Sequence, residues 1–568
     1  MWRWRIPSKF SKQWIPDQKK GKRERHKLNM LEIRLGNNKE NCSEPIFSFS
    51  KSVLGDLHKL KNRPCEDNSA SYSEENGKYH IAVVADGHGS AECFRSKLGS
   101  QIAAEVAVEF LQSFAKDFIK RFDAMLQSKE TTSETASKPE KELEDFHDGF
   151  FEPKIRPLTD TIIAEWNDRV EADYETNPPT KEELGKAGLS EGAIFDPHFY
   201  GTTLIAALWL PECLIIIHQG DGRCVVFYND GTMDQPVPWD ERCIGTAVTS
   251  MCDNDAITHI RHKILDFRKK KAIACYLGSD GVEDAYRDTY DEKGLYCMGN
   301  MGGVYAFYKN LTCQIIEKGQ NQIDNYLEEM LPIFSAEGLF SRTGSGDDVS
   351  VAGIVDVEAV KKFNVQFERD IKVYDLKEQL FWKEDELRGK MRKHGILLKR
   401  MNEAQEEITK TKAAIDKIAK EEDLCLKEQS KLENDIQRIT IELQEFERDC
   451  AESEVDLNDG KFDKILRTIG LDRLTANHNR DKERNSLQAR YHEIIEKQSK
   501  CSDELEKLRQ KNDSAINSLH QIEKKYSEAK EKFEEYDANY KRIEKECLLI
   551  KEEIDKVLKQ NEDKALTN

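Results

Sequence analysis

Apolar residues follow two different rhythms along this chain. Up to about residue 357 they come in short runs. Ile81–Ala85, Thr202–Trp209, Leu214–His218, Cys224–Tyr228, Ala272–Gly278 and Val349–Val355 are rich in Val, Ile, Leu and Ala and predict buried strands. Leu98–Phe114 and Thr159–Val170 carry apolar residues at helical spacing. Short turns such as Asn229-Asp230-Gly231 join successive strands. That predicts antiparallel sheets with helices segregated to the outside, rather than alternating βαβ units. Gln127–Lys141 is Ser, Thr, Glu and Lys with almost nothing apolar, and predicts an unstructured insertion.

Beyond residue 365 the rhythm becomes a repeat of seven. One register reads Met401, Ile408, Ile415, Ile436 and Leu443, with Ala404, Ile418, Leu432, Ile439 and Phe446 as its partners. A second run reads Leu487, Ile494, Cys501, Leu508, Ile522, Ile543, Ile550 and Val557. Its partners include Tyr491, Leu505, Leu519, Phe533, Cys547 and Ile554. Heptads sustained this long predict a coiled coil. A lone solvated helix has no reason to keep its apolar residues on a 3.5-residue period. Polar Glu422, Gln429, Gln498 and Asn512 fall in the seam, where such residues fix register at some cost in stability. A break at 456–476, containing Asn-Asp-Gly and Ile-Gly-Leu, separates one arm, 366–455, from a second, 477–563. An antiparallel hairpin would bury both seams within one chain. A parallel dimer would bury them between two chains, and the sequence leaves both open.

Composition sharpens this division. All 14 prolines lie at or before Pro332, and after Gly353 only Gly389, Gly395, Gly460 and Gly470 remain. Residues 45–357 therefore read as a globular domain and the remainder as long helix. The net charge of −19 over 568 residues argues against a general nucleic-acid binder. The first 30 residues run the other way, with ten Lys or Arg against Asp17 and Glu24, and 1–44 reads as a basic, unstructured arm. Met30 is an alternative start. The 14 cysteines include no Cys-x-x-Cys pair, which fits neither a zinc ribbon nor a disulfide scaffold. The longest apolar stretch, Leu204–Ile217, is broken by Pro211 and Glu212, so no transmembrane segment is expected. No secretory signal is visible, and the expected location is cytoplasmic.

Acids stand at the mouths of the predicted strands. Asp86-Gly87-His88-Gly89 ends Ile81–Ala85, and Gly220-Asp221-Gly222 follows Leu214–His218. Ser279-Asp280-Gly281 ends Ala272–Gly278, and Gly346-Asp347-Asp348 precedes Val349–Val355. Glu66-Asp67 follows Arg63-Pro64-Cys65. A carboxylate there is held by a rigid strand while the glycine lets other groups come close. Several such carboxylates converging repel one another unless a cation sits among them. Oxygen-only ligands suit a hard divalent ion, Mg²⁺ or Mn²⁺.

These motifs resemble those of the metal-dependent protein phosphatases of type 2C. The matches are Arg63-Pro-Cys-Glu-Asp67, Val84-Ala-Asp-Gly-His-Gly89, Gly201-Thr-Thr-Leu204, Gly220-Asp-Gly-Arg223, Gly278-Ser-Asp-Gly281 and Gly346-Asp-Asp-Val-Ser350. They come in the family's order over about residues 50–356 and look closer to its bacterial-like branch. The resemblance implies an α+β fold of two packed antiparallel sheets flanked by helices, with a metal site at one end. It implies that Asp86 bridges two Mg²⁺ or Mn²⁺ ions, with the Gly87 carbonyl as a further ligand. Asp280 and Asp347 would bind the first ion, and Glu66 and Asp67 would hold the second, largely through water. Asp221 would hold a weaker third ion. His88 would be the acid that protonates the leaving serine or threonine oxygen, a role that suits a pKa near 7. The family's phosphate-holding arginine falls on Asn62 here, and neighbouring Arg63 is the expected substitute.

The expected protein is thus a serine/threonine phosphatase acting on phosphoproteins. The coiled coil would serve self-association or a partner helix. The alternatives are a pseudophosphatase scaffold that binds phosphoproteins without turnover, and a structural coiled-coil protein with a vestigial head.

Overall fold

A computed structural model describes residues 45–565, apart from 132–148, 152, 244–246, 288, 291–295, 298–300, 337–345 and 457–472. The expected basic arm, 1–44, lies outside the described residues. The chain divides into two compact units, Met1–Leu376 and Lys377–Asn568.

The first unit holds twelve described strands: β1 (Ile46–Val53), β2 (Asn68–Ser73), β3 (His80–Ala85), β4 (Leu204–Trp209), β5 (Cys213–Gln219), β6 (Arg223–Tyr228), β7 (Met233–Asp234), β8 (Arg261–Asp266), β9 (Ala272–Gly278), β10 (Thr289–Tyr290), β11 (Tyr296–Cys297) and β12 (Val349–Asp356). One antiparallel sheet runs β1-β12-β9-β6-β7 and the other β2-β3-β4-β5-β8, with β10 and β11 forming a small ribbon. The helices beside them are α1 (Asp56–Leu60), α2 (Ser96–Thr131), α3 (Ile155–Thr176), α4 (Met301–Lys318) and α5 (Ile323–Ser335).

The central strands are buried at almost every position and mostly apolar, because both faces of each sheet are covered. Ala82, Val84, Ile205, Ala207 and Ile216 face Val226, Cys275, Leu277, Ala352 and Ile354 between the sheets. The alternate residues Ile81, Val83, Leu208 and Ile215 pack against Val106, Leu111, Phe118, Ile162 and Trp166 of α2 and α3. On the opposite side, Val225, Phe227, Tyr276 and Val351 meet Val304, Phe307, Leu311 and Leu327 of α4 and α5. Two sheets between two helical layers are what the period-two side-chain alternation of a strand produces when neither face is left to water. This is the α+β sandwich expected from the sequence.

Two features depart from the sequence reading. Gln127–Thr131, the start of the stretch expected to be unstructured, continues α2, and the rest of it lies outside the described residues. The first unit also extends past 357: Phe367 is 1% exposed and packs on Phe227 at 5.2 Å between ring centroids.

The second unit consists mainly of two 93-residue helices, α6 (Asn364–Asp456), whose first turns belong to the first unit, and α7 (Arg473–Ala565). Ion pairs link them in opposite order: Glu384 with Lys551 at 2.8 Å, His394 with Asp537 at 2.9 Å, Glu422 with Arg509 at 3.3 Å and Glu447 with Arg484 at 3.3 Å. The helices therefore run antiparallel within one chain. Ile408, Ile439, Cys501, Leu508, Ile522 and Ile543 are buried, each at a predicted seam position.

Trp166 is fully buried and donates Nε1–H to the Gly99 carbonyl at 2.9 Å. Trp166→Ala should destabilise the first unit by about 3–5 kcal/mol, the usual loss for a buried aromatic cut to alanine. Urea unfolding followed by circular dichroism measures it.

Candidate active site

Strand register decides which acids meet. Asn68 pairs with Ala85, so Asp67 and Asp86 leave adjacent strands side by side. In the other sheet Gly278 pairs with Arg223 on one side and Val351 on the other. That brings Asp221, Asp280 and Asp347 to one end. The turn from β5 to β6 joins the two sheets at this same end. Gly220 there has φ 110°, and a Cβ on it would lie 2.6 Å from Thr203. Only glycine fits such a turn without strain.

Backbone contacts fix the position of Asp86. Its N–H donates to Thr203 Oγ1 at 3.1 Å. Its carbonyl accepts from the Thr203 N–H at 2.8 Å and from Thr202 Oγ1 at 2.9 Å. Gly87 is buried against the next segment, where a Cβ would lie 2.3 Å from the Glu66 carbonyl oxygen.

The acids feel one another strongly. Burial pushes the Asp86 carboxyl well up, and the charges of Asp67, Asp280, Asp221 and Asp347 push it further. Asp280 is raised by burial, then by Asp221, Asp284 and Asp347. Asp67 is raised to about 7, by burial first and by Asp348 next. Burial also raises Asp221, against the pull of Arg223. Asp67 Oδ2 and Asp280 Oδ1 are buried without a hydrogen-bond partner. Buried, mutually repelling carboxylates with unshared oxygens are the donor set of a hard divalent cation, so these residues fit Mg²⁺ or Mn²⁺.

Glu66, Arg63 and His88 are engaged with protein groups. Arg63 Nη2 donates to both Glu66 carboxylate oxygens at 2.7 Å, and Nη1 donates to the Gly89 carbonyl at 2.8 Å. His88 Nε2 lies 2.8 Å from Ser250 Oγ. That hydroxyl also lies 2.9 Å from the Thr202 carbonyl, so Ser250 ties His88 Nε2 to the backbone before β4. Burial lowers the His88 pKa to about 4, with His198 adding to the effect. The imidazole is therefore neutral at pH 7, rather than near its midpoint as the sequence suggested.

Two residues of the site have roles that the sequence reading did not assign. Asp348 is almost fully buried. It accepts from the Gly55 N–H at 2.7 Å and the Glu66 N–H at 2.6 Å, and pairs with His58 Nδ1 at 3.0 Å. Burial works against its charge, but His58 and the two N–H groups hold its carboxyl below the ordinary value. It clamps the start of α1 and the Glu66 segment to β12, while the Asp347 side chain beside it stays half exposed. The second residue is Asn62. It has φ 55°, and no other non-glycine among the described residues has positive φ. The Arg63 N–H bonds the His58 carbonyl at 2.9 Å and the Asn62 N–H the Lys59 carbonyl at 3.2 Å, the Schellman closure of α1. Asparagine tolerates that left-handed position better than arginine does.

With this geometry in view, residues 54–328 match the family model described as Protein phosphatase 2C. This stretch is a protein phosphatase 2C domain. The family is one of serine/threonine protein phosphatases. The domain also resembles solved structures at low identity. One is the serine/threonine phosphatase Stp1 from Staphylococcus aureus, 13% identical, aligned over 56% of this chain and 98% of that one with a TM-score of 0.30. Another is the Mycobacterium tuberculosis phosphatase PstP/Ppp, 15% identical over 55% and 98% with a TM-score of 0.28. A third is the PstP catalytic domain, described in complex with two manganese ions, 16% identical over 55% and 97% with a TM-score of 0.28. No curated protein matches the chain.

Two expectations follow for the phosphatase 2C domain. A carboxyl raised to about 7 contributes stability that is full below its ordinary value of 3.8 and lost as pH rises through about 7. In chelator, the melting temperature should fall from pH 5 to pH 8, and Mg²⁺ or Mn²⁺ should restore it at pH 8. A flat profile would contradict the charge cluster. Separately, Asp348→Ala should cost about 3–5 kcal/mol, because it strands the buried His58 cation and two N–H groups. Denaturant titration checks this.

Proposed function

We propose that this chain removes phosphate from phosphoserine and phosphothreonine in other proteins, by attack of water. Mg²⁺ or Mn²⁺ would be held by Asp67, Asp86, Asp221, Asp280 and Asp347, with the Gly87 carbonyl and Glu66 beside them. The observation that carries the reading is the convergence of five acids from both sheets at one end, with buried oxygens left unshared. A pair of such ions, when bound, lowers the pKa of water and screens phosphate charge. The strands keep the carboxylates in place, so little reorganisation is needed when substrate arrives. Thr202 and Thr203 hold Asp86 by its backbone, and Asp348 holds the segment carrying Glu66. His88 Nε2 can reach a leaving oxygen only by giving up Ser250. The reading therefore rests on the acids.

The two long helices would serve self-association or the docking of a partner. Leu424, Leu548 and Leu549 support this, since they stay more than half exposed on helices whose seam is already filled. Among the described residues no helix is long and apolar enough to cross a membrane.

A second reading, phosphoprotein binding without turnover, is favoured by Asn62 and Arg63. The former stands where the family has its phosphate-holding arginine, and the latter is tied to Glu66 and Gly89. One assay separates the two. The full chain is offered a phosphothreonine peptide with Mn²⁺ or with EDTA, beside Asp280→Asn. Phosphate release that needs Mn²⁺ and drops to background in the variant is expected. A folded wild type that binds Mn²⁺ and the peptide without releasing phosphate would replace the enzyme with the scaffold.

A further inference from the structure

A second cluster of ligating groups lies beside His88 and has a different chemical character. His198, Cys252 and Asp253 each bring a ligand atom within 4.8 Å of the others. They come from two separate loops, one before β4 and one before β8. His198 is half exposed, Cys252 is buried and Asp253 lies between, so the group opens to water on one side.

Each member has an atom free for an ion. His198 shares Nδ1 with Asp196 Oδ1 at 2.8 Å, which leaves Nε2. A carboxylate on the far nitrogen is the usual way a ligating histidine is aimed. Asp253 accepts from the Ser250 N–H through Oδ2 at 2.8 Å and keeps Oδ1. Among the described residues, Cys252 Sγ has its hydrogen bond to Ser250 Oγ, at 3.0 Å. The sulfur rests against Gly201, where a Cβ would lie 3.3 Å from it and 2.5 Å from His88 Cδ2.

We propose that His198, Cys252 and Asp253 form a binding site for one borderline-soft divalent ion of the Zn²⁺ class, with Asp196 as the positioning residue for His198. One nitrogen, one sulfur and one oxygen, with a fourth position open to water, is a zinc-type donor set. It is unlike the oxygen-only set of Asp86 and its neighbours, which favours Mg²⁺ or Mn²⁺. On binding, the Cys252 thiol gives its proton to solvent and the sulfur–metal bond takes its place. The sulfur then leaves Ser250 Oγ, the oxygen that faces His88 Nε2. Under the phosphatase reading, ion binding here therefore reaches the active site.

Cobalt(II) reports the site without any assay of activity. A thiolate on Co²⁺ gives a charge-transfer band in the near ultraviolet, and carboxylates do not. The full chain is saturated with Mg²⁺ to fill the oxygen site and then titrated with Co²⁺. The expected result is a thiolate band that saturates at one equivalent and is bleached by Zn²⁺, which outcompetes Co²⁺ at such sites. Cys252→Ser should abolish it and Cys93→Ser should keep it. Asp196→Asn should weaken Co²⁺ binding about 10–100-fold, as removal of an outer-shell partner does. Should Cys252→Ser fail to fold by circular dichroism, His198→Ala, at an exposed position, must weaken binding at least as much as Asp196→Asn. No band in the folded wild type overturns the site. So does a band that forms in His198→Ala with unchanged Co²⁺ affinity, or one lost in Cys93→Ser but kept in Cys252→Ser. A chain without phosphatase activity that still shows the band would overturn the enzyme reading and leave this site standing.

Discussion

Like charges cannot share a buried space unless something of opposite sign joins them, and the first unit is organised around that constraint. Asp67, Asp86, Asp221 and Asp280 are each pushed toward protonation by burial first and then by the charges of neighbouring acids, with Arg223 pulling Asp221 the other way. A flexible loop would relax by swinging such groups into water. These acids cannot swing away, because each sits within two residues of the end of a strand whose register is fixed. The energy of their repulsion is stored in the fold and becomes available to any hard cation that enters.

Around this centre the protein uses paired charges as fasteners. Arg223 and Glu283 form a buried pair below Asp221, with the guanidinium 3.8 Å from the Trp239 ring centroid. His58 and Asp348 form another, which locks α1 to β12. A buried pair of this kind adds little net stability, but losing one partner is costly. Its effect is to make the positions of the acids insensitive to small changes elsewhere.

Much of this was legible in the sequence. The strands read correctly, β3, β4, β5, β6, β9 and β12, are those with neighbours on both sides, so burial made them mostly apolar. The strands missed at the margins, β1, β2, β7 and β8, are the edges of the two sheets, and β2 and β8 contain no fully buried residue. Polar composition follows from an edge position and reads as loop. Of the converging acids, Asp86, Asp221, Asp280 and Asp347 were legible because each stands close to the end of a predicted strand and next to a glycine. The Asp348 clamp and the Schellman turn at Asn62 were not, because their partners lie far away in sequence or arise only once α1 has formed. The acid–base state of His88 was also hidden, since burial and not residue type sets it.

The antiparallel course of the two long helices has a kinetic side. Glu447 and Arg484 are separated by 37 residues, whereas His394 and Asp537 are separated by 143. Closing the longer loop first would cost about 1 kcal/mol more chain entropy, at roughly 0.6 kcal/mol per doubling. Pairing should therefore start where the two helices are nearest in sequence, at Glu447 and Arg484, and zip away from there, each new contact shortening the loop left for the next. In that order the polar seam residues nearest the starting end act as early proofreaders. A slip of register meets Gln429, Gln498 and Glu422 before most of the apolar seam has closed over the error.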